Sequence, residues 1–269
     1  MSAAMSLFQY DFMKYAFVAI LIITPLFGVL GTMIVSDKMA FFSDALGHSA
    51  LTGIAVGVIC GLGESSLSMV LFGVAFALLL NWIRSRNASS TDTIISVFSS
   101  CCIAIGLAIL SRGGNFSQYS SLLLGDVLSI TRQEIVYLFL IFLATIVFWI
   151  VCYNRLQAIS LNRTLAKSRG FRIRLIENLF SVFIALVVML SIKWIGILLI
   201  NALLILPAAS SRNMAENVRE YHFFSIIFSM FSGIAGLFIS YYTDMATGPM
   251  IVILASVIFF ATYFYGRNR

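Results

Sequence analysis

Nine long apolar runs, separated by charged or turn-forming stretches, divide this sequence almost from end to end. They fall at about residues 15–35, 39–61, 67–83, 91–110, 135–153, 176–192, 195–209, 223–242 and 247–265. A bilayer hydrocarbon core of roughly 30 Å takes about 20 apolar residues per helix, so most of these runs have a transmembrane length. Membrane β-barrels hide their apolar residues in alternation, whereas these runs are continuous, so they predict helices. Composition agrees: 61% of the 269 residues are hydrophobic and 10% charged, against about 25% charged in a soluble domain. A water-soluble domain and a disordered chain are both excluded. The expectation is an all-α polytopic membrane protein, a single transmembrane domain over residues 1–269. It has nine spans, or eight if 195–209, which is short and ends near Pro207, is re-entrant. The first run is too long for a signal-peptide core and lacks a small-residue cleavage site, so it counts as a span.

Charge sets the orientation. If residues 154–175 are cytoplasmic and the sides alternate, 13 of the 17 lysines and arginines lie inside and 4 outside, as the positive-inside rule expects. The C-terminus is then cytoplasmic. The net charge of +6 is explained by that membrane bias and calls for no nucleic-acid partner. Cys60, Cys101, Cys102 and Cys152 lie in apolar stretches without CxxC spacing, which predicts small hydrophobes rather than a zinc or redox motif.

Ionisable groups at membrane depth cost at least about 2.5–3.5 kcal/mol at a span's centre, so they mark where function resides. The second run holds Asp44 and His48. A spacing of four puts both on one helical face, their Cβ atoms about 5–6 Å apart. Such a pair can grip a divalent cation or share a proton, or it can simply fix helix packing. Two ligands fall short of the four of a tetrahedral site; a symmetric dimer would double them. Gly47, Ser49, Ala50, Gly53, Ala55 and Gly57 allow close backbone approach. Asp92, Asp126 and Asp244 are weaker candidates: the first opens the fourth run, where a carboxylate suits the helix dipole, and the others fall in outer-face segments. His222 reads as a cytoplasmic surface histidine. Residues 119–130 form a half-apolar piece consistent with a short interfacial helix. Residues 162–168 can form about two helical turns ending at Gly170, a natural helix terminator; the residues alone equally suit a solvated basic loop held inside by its charge. No P-loop, GxSxG or HExxH occurs, so energy for uphill transport must come from a partner or an ion gradient.

Five segments in order then resemble one family. They are residues 39–57 with Asp44-x-x-x-His48, 90–96 around Thr-Asp-Thr, 122–131 (LLLGDVLSIT), 193–209 (KWIGILLINALLILPAA) and 243–249. The chain resembles the permease subunit of bacterial zinc/manganese-type ABC importers over most of its length. The resemblance implies an inner-membrane homodimer or pseudo-dimer, two cytoplasmic ATPase subunits, and an extracytoplasmic metal-binding protein. It also implies Asp44 and His48 as contacts for the metal in transit. Zinc is favoured over manganese or iron because Thr52-Gly53 stands where many manganese-type members have proline before the glycine. The ion is cargo, with no permanently bound cofactor. The segment 154–175 then carries the ATPase-coupling helix, with Asn162, Arg163, Leu165, Ala166 and Gly170 as its functional residues. Relatives often carry acidic residues where this chain has Asn162 and Arg163. Two rivals are a metal carrier driven by a gradient without an ATPase, and an intramembrane aspartyl hydrolase using Asp126 and Asp244.

Overall fold

The structure is a computed structural model that describes residues 10–61, 65–86, 91–112, 125 and 127–266, the side chains of 65, 85, 86, 91 and 92 excepted. Ten α-helices and one 3-10 turn run through the described residues: α1 Asp11–Ser36, α2 Ala40–Ile59, α3 Ser65–Arg86, α4 Thr91–Arg112, the turn Val127–Ser129, α5 Arg132–Leu161, α6 Arg163–Ser168, α7 Ile173–Ile195, α8 Ile197–Met214, α9 Val218–Thr243 and α10 Thr247–Gly266. All but α6 are long and apolar enough to cross a bilayer, nine among the described residues.

Local sequence explains where these helices stop and start. Thr131 and Glu134 form a reciprocal cap at the start of α5: the Thr131 amide donates to the Glu134 carboxylate at 2.9 Å and the Glu134 amide to the Thr131 hydroxyl at 3.4 Å. Asn217 caps α9 in a related way: the Glu220 amide donates to Asn217 Oδ1 at 2.9 Å, and the Glu220 carboxylate accepts from the Asn217 side-chain amide at 2.7 Å and the Glu216 backbone amide at 3.0 Å. Two helices outrun the apolar pattern. Helix α5 continues through the polar residues Asn154 and Arg155 to Leu161, so the expected loop at 154–175 begins with two more helical turns. Helix α8 passes through Pro207 to Met214 instead of ending there. At 18 residues and 1.5 Å rise per residue it is about 27 Å long, close to the thickness of the hydrocarbon core.

The chain divides into two compact units. One comprises residues 1–35, 122–147 and 194–269, the other 36–121 and 148–193. In the first, α1 and α9 are antiparallel partners joined by a ladder of side chains four residues apart. Tyr221, Ser225 and Ser229 donate to the carbonyls of Thr32, Gly28 and Thr24 at 3.2, 2.7 and 2.8 Å. Lipid provides little hydrophobic drive between helices, so buried hydroxyl bonds of this kind and close packing hold them together. His222 belongs to the same seam. It lies on α9, with Nδ1 2.7 Å from the Thr32 hydroxyl, and is therefore a packed helical residue and not the surface-loop histidine expected from its polar neighbours. Because that hydroxyl donates to the Val29 carbonyl at 2.7 Å, the consistent tautomer carries its proton on Nδ1 and donates it to Thr32.

In the second unit α2 packs against α3 and α4. Thr52 of α2 donates a hydrogen bond to the Cys102 carbonyl of α4. Gly106 of α4 lies directly against the α2 backbone: a Cβ there would stand 2.9 Å from the Thr52 nitrogen. Gly53 makes a similar approach to Met69 of α3, where a Cβ would be 2.9 Å from Cα. The small residues of the second apolar run thus serve helix contact.

Candidate functional site

Asp44 and His48 sit on the one face of α2 that its neighbours leave open. Most of the rest of the helix is buried, including Phe42, Ser43, Ala45, Leu46, Gly47, Ser49 and Ala50. The two side chains keep 47% and 29% exposure, and His48 Nε2 lies 3.5 Å from Asp44 Oδ1. They meet because residues four apart on a helix are stacked one turn above another. With a proton on Nε2 they form a weak charge-assisted pair. Without it, nitrogen and carboxylate oxygen both turn lone pairs to the same space, the arrangement a divalent cation takes.

That space is a small cleft between α2 and α4, with a volume of about 190 Å³. Ser96, Ser99 and Ser100 supply hydroxyls from α4, and Phe41, Ile95 and Ile103 supply its apolar rim. The serines fall at i, i+3 and i+4, one polar face on an otherwise apolar span. Their spacing shows in the sequence as a polar stripe, but nothing local to α4 shows that the stripe faces Asp44 and His48. The Thr52–Cys102 bond and the Gly106 approach, both farther along α2 and α4, fix the spacing of the two helices that form the cleft. Among the described residues no group of three or more His, Cys, Asp or Glu is placed to hold a metal. The described residues therefore add no third such group to the pair.

The weaker candidates lie elsewhere or outside the description. Asp92 is in the first turn of α4, but its side chain, like all of Asp126 and most of the 119–130 piece, is outside the described residues. Of that piece, Val127–Ser129 forms a single 3-10 turn. Asp244 is exposed and ends α9 as a left-handed cap, φ 52°.

The segment 162–170 folds as a short, well-terminated helix. Asn162 Oδ1 accepts from the amides of Thr164 and Leu165 at 3.0 and 3.1 Å, capping α6 at its start. At its end Gly170 takes φ 78°. The Phe171 amide then reaches the Ala166 carbonyl at 3.2 Å and the Gly170 amide the Lys167 carbonyl at 3.0 Å, a Schellman closure. Ala166 is buried and Leu165 exposed, 1% against 52%. Arg163 is ion-paired to Glu177 of α7.

Nine helices of spanning length among the described residues, a cleft holding a carboxylate and an imidazole, and a short helix capped at both ends form one pattern. The profile of the ABC 3 transport family matches residues 9–266. The chain belongs to that family. Among ABC 3 transport proteins it is similar to the high-affinity zinc uptake system membrane protein ZnuB of Haemophilus influenzae, 30% identical over 87% of this chain and 90% of that protein. It is also similar to the manganese transport system membrane protein MntC of Listeria innocua, 25% identical over 98% of this chain and 94% of that one. The solved structure of PsaBC from Streptococcus pneumoniae in complex with Fab superposes with a TM-score of 0.85 at 26% identity, covering 98% of this chain and 96% of that one. An all-α, multi-pass permease of the ABC importer type is the architecture of this chain.

Proposed function

We propose that this protein is the membrane-spanning permease subunit of an ATP-driven importer of divalent metal, with zinc the favoured cargo and manganese the alternative. The observation that carries the reading is the Asp44–His48 pair, one helical turn apart in a span, opening on a cleft lined by three serines. A charge at that depth is costly unless it meets a counter-charge or a pathway, and the family is one of transport proteins. One nitrogen and one or two oxygens form a site that zinc and manganese both accept. The general order of affinities places zinc above manganese there, so selection between them falls largely to the protein that delivers the ion.

The chain has no phosphate-cradling loop of its own. It is a transporter subunit and not an enzyme, and ATP is hydrolysed by separate subunits. In our reading two cytoplasmic ATPase subunits engage helix α6 and its caps, residues 162–170, through the exposed Leu165 and its basic neighbours. A second copy of the chain completes the pathway and doubles the ligands to two carboxylates and two imidazoles. An extracytoplasmic binding protein delivers the ion. The whole chain then acts as one permease domain in a bacterial cytoplasmic membrane, with residues 154–175 and the C-terminus inside. Transport proceeds by alternating access: ATP binding and hydrolysis move α6, and the helices around the ion open first outward and then inward.

Co-purification and uptake test this together. The chain extracted from its native membrane brings an ATPase with it, and the reconstituted complex takes up zinc only when ATP is supplied. Uptake without any ATPase, driven by an ion gradient, would replace the proposal with a secondary carrier.

A further inference from the structure

A cluster of charged and polar groups gathers beside α6, away from the Asp44–His48 cleft. Its centre is Asp37, in the turn between α1 and α2. That turn is tight, Lys38 taking φ 55°. The Asp37 carbonyl accepts from Arg84 Nη2 at 2.7 Å, so the end of α3 is fastened to the turn. The Asp37 carboxylate accepts from the Ser160 hydroxyl near the end of α5, is attracted by Arg84 and by Arg163 of α6, and is repelled by Glu177 of α7. Arg163 is itself paired to Glu177, whose side chain is only 13% exposed. Four helices thus converge on one carboxylate immediately before α2. Asp44 lies seven residues beyond Asp37 and His48 eleven, both within the first three turns of α2.

We propose that Asp37 is a positioning residue for transport: through Ser160, Arg84 and the Arg163–Glu177 pair it ties the start of α2, the helix carrying Asp44 and His48, to α6. This rests on reading α6 as the ATPase-coupling helix. Coupling between distant sites needs packed, charged or hydrogen-bonded connections that both sites bias, and here the connection is short. A displacement of α6 pulls on Arg163, changes the field at Asp37 and loads the base of α2. The carboxyl also reports its surroundings. Loss of water pushes it from 3.8 up to about 6, while Ser160, Arg84 and Arg163 hold it down and Glu177 adds to the rise. The tie is therefore charged above about pH 6 and neutral below it.

The test uses the complete complex of permease, ATPase and binding protein in proteoliposomes, with zinc alone as the transported ion. It reads zinc moved per ATP hydrolysed. Asp37→Asn keeps the shape and removes the charge. At about pH 7.5 its zinc-to-ATP ratio falls about two- to thirtyfold below that of the wild type, the range expected for changes along a coupling route. At about pH 5 the two converge, because the wild-type carboxyl is then neutral as well. The two proteins are identical at every other position, so the comparison isolates the Asp37 charge. Glu177→Gln removes the repulsion and moves the fall of the wild-type ratio to lower pH. It also serves if Asp37→Asn loses its ATPase on purification. Equal ratios for Asp37→Asn and wild type at the higher pH, a deficit that is the same at both pH values, or an unmoved profile in Glu177→Gln would each overturn the inference. A wild-type complex that moves no zinc would instead defeat the functional proposal and leave the cluster without that role.

Discussion

Gly106→Ala tests whether backbone contact between α2 and α4 fixes the cleft. The added Cβ would meet the Thr52 nitrogen at 2.9 Å, the Leu51 carbonyl carbon at 3.0 Å and the Thr52 Cα at 3.2 Å, where ordinary contact begins at 3.4 Å. All three are backbone atoms, so no rotamer change relieves the clash and the helices must part by about half an ångström, the shortfall at the closest contact. Overpacking of this kind costs about 1–3 kcal/mol. Replacing glycine by alanine within a helix returns about 1 kcal/mol. Parting the helices also weakens the Thr52–Cys102 bond, worth about 0.6–1.7 kcal/mol in a membrane protein. The net loss is about 1–3 kcal/mol, or about 2–12 °C in the midpoint of thermal unfolding in detergent, given about 2–4 °C per kcal/mol for a chain of this class. The decisive assay is a double-mutant cycle with Thr52→Val. In the wild-type background Thr52→Val costs the full hydrogen bond. In the Gly106→Ala background it costs less than half as much, because the bond is already stretched. Additive midpoints, or an unchanged midpoint for Gly106→Ala alone, would refute the claim that this contact sets the α2–α4 spacing.

Three further outcomes follow from the same structure. Asp37 has a native carboxyl raised from 3.8 to about 6, so between those values the folded protein holds the extra proton. Its stability therefore falls as pH rises through about 4 to 6 and levels off above, a cost of at most about 3 kcal/mol. Asp37→Asn removes that slope, and thermal midpoints against pH check it. Ser229→Ala deletes one rung of the α1–α9 ladder and lowers the midpoint by the same measure as other membrane hydroxyl bonds, about 0.6–1.7 kcal/mol; Ser168→Ala, which bonds only within its own turn, is the control and leaves it nearly unchanged. Asn162→Ala removes the cap of α6 at a cost of about 0.5–2 kcal/mol to that helix, and lowers the yield of co-purified ATPase while the thermal midpoint of the permease moves little.

The spans were legible because lipid demands continuous apolar helices, and eighteen or more such residues leave few alternatives. What the sequence hid was polar helix beyond the bilayer. Asn154 and Arg155 read as loop, yet α5 runs on to Leu161 and Asn162 then caps the next helix. Pro207 read as a terminus because an interior proline removes one donor and crowds the carbonyl four residues earlier, yet the helix around it continues to Met214. The Asp44–His48 pair was readable because four-residue spacing is a local fact. Its opposite wall was not, since Ser96, Ser99 and Ser100 reach the pair only through the packing of α4 on α2. Asp37 escaped notice for a similar reason: in sequence it is one acid in a turn, and its partners at 84, 160, 163 and 177 are far along the chain. His222 was misplaced because charge in the surrounding residues outweighed the helix that carries it.

Zinc uptake into proteoliposomes by the complete complex, measured for wild type, Asp44→Ala and His48→Ala, tests the central claim most directly. Both variants are expected to assemble with the ATPase at wild-type yield and to take up no more zinc with ATP than without it. Normal ATP-driven uptake by both would contradict the assignment of this pair to the path of the ion.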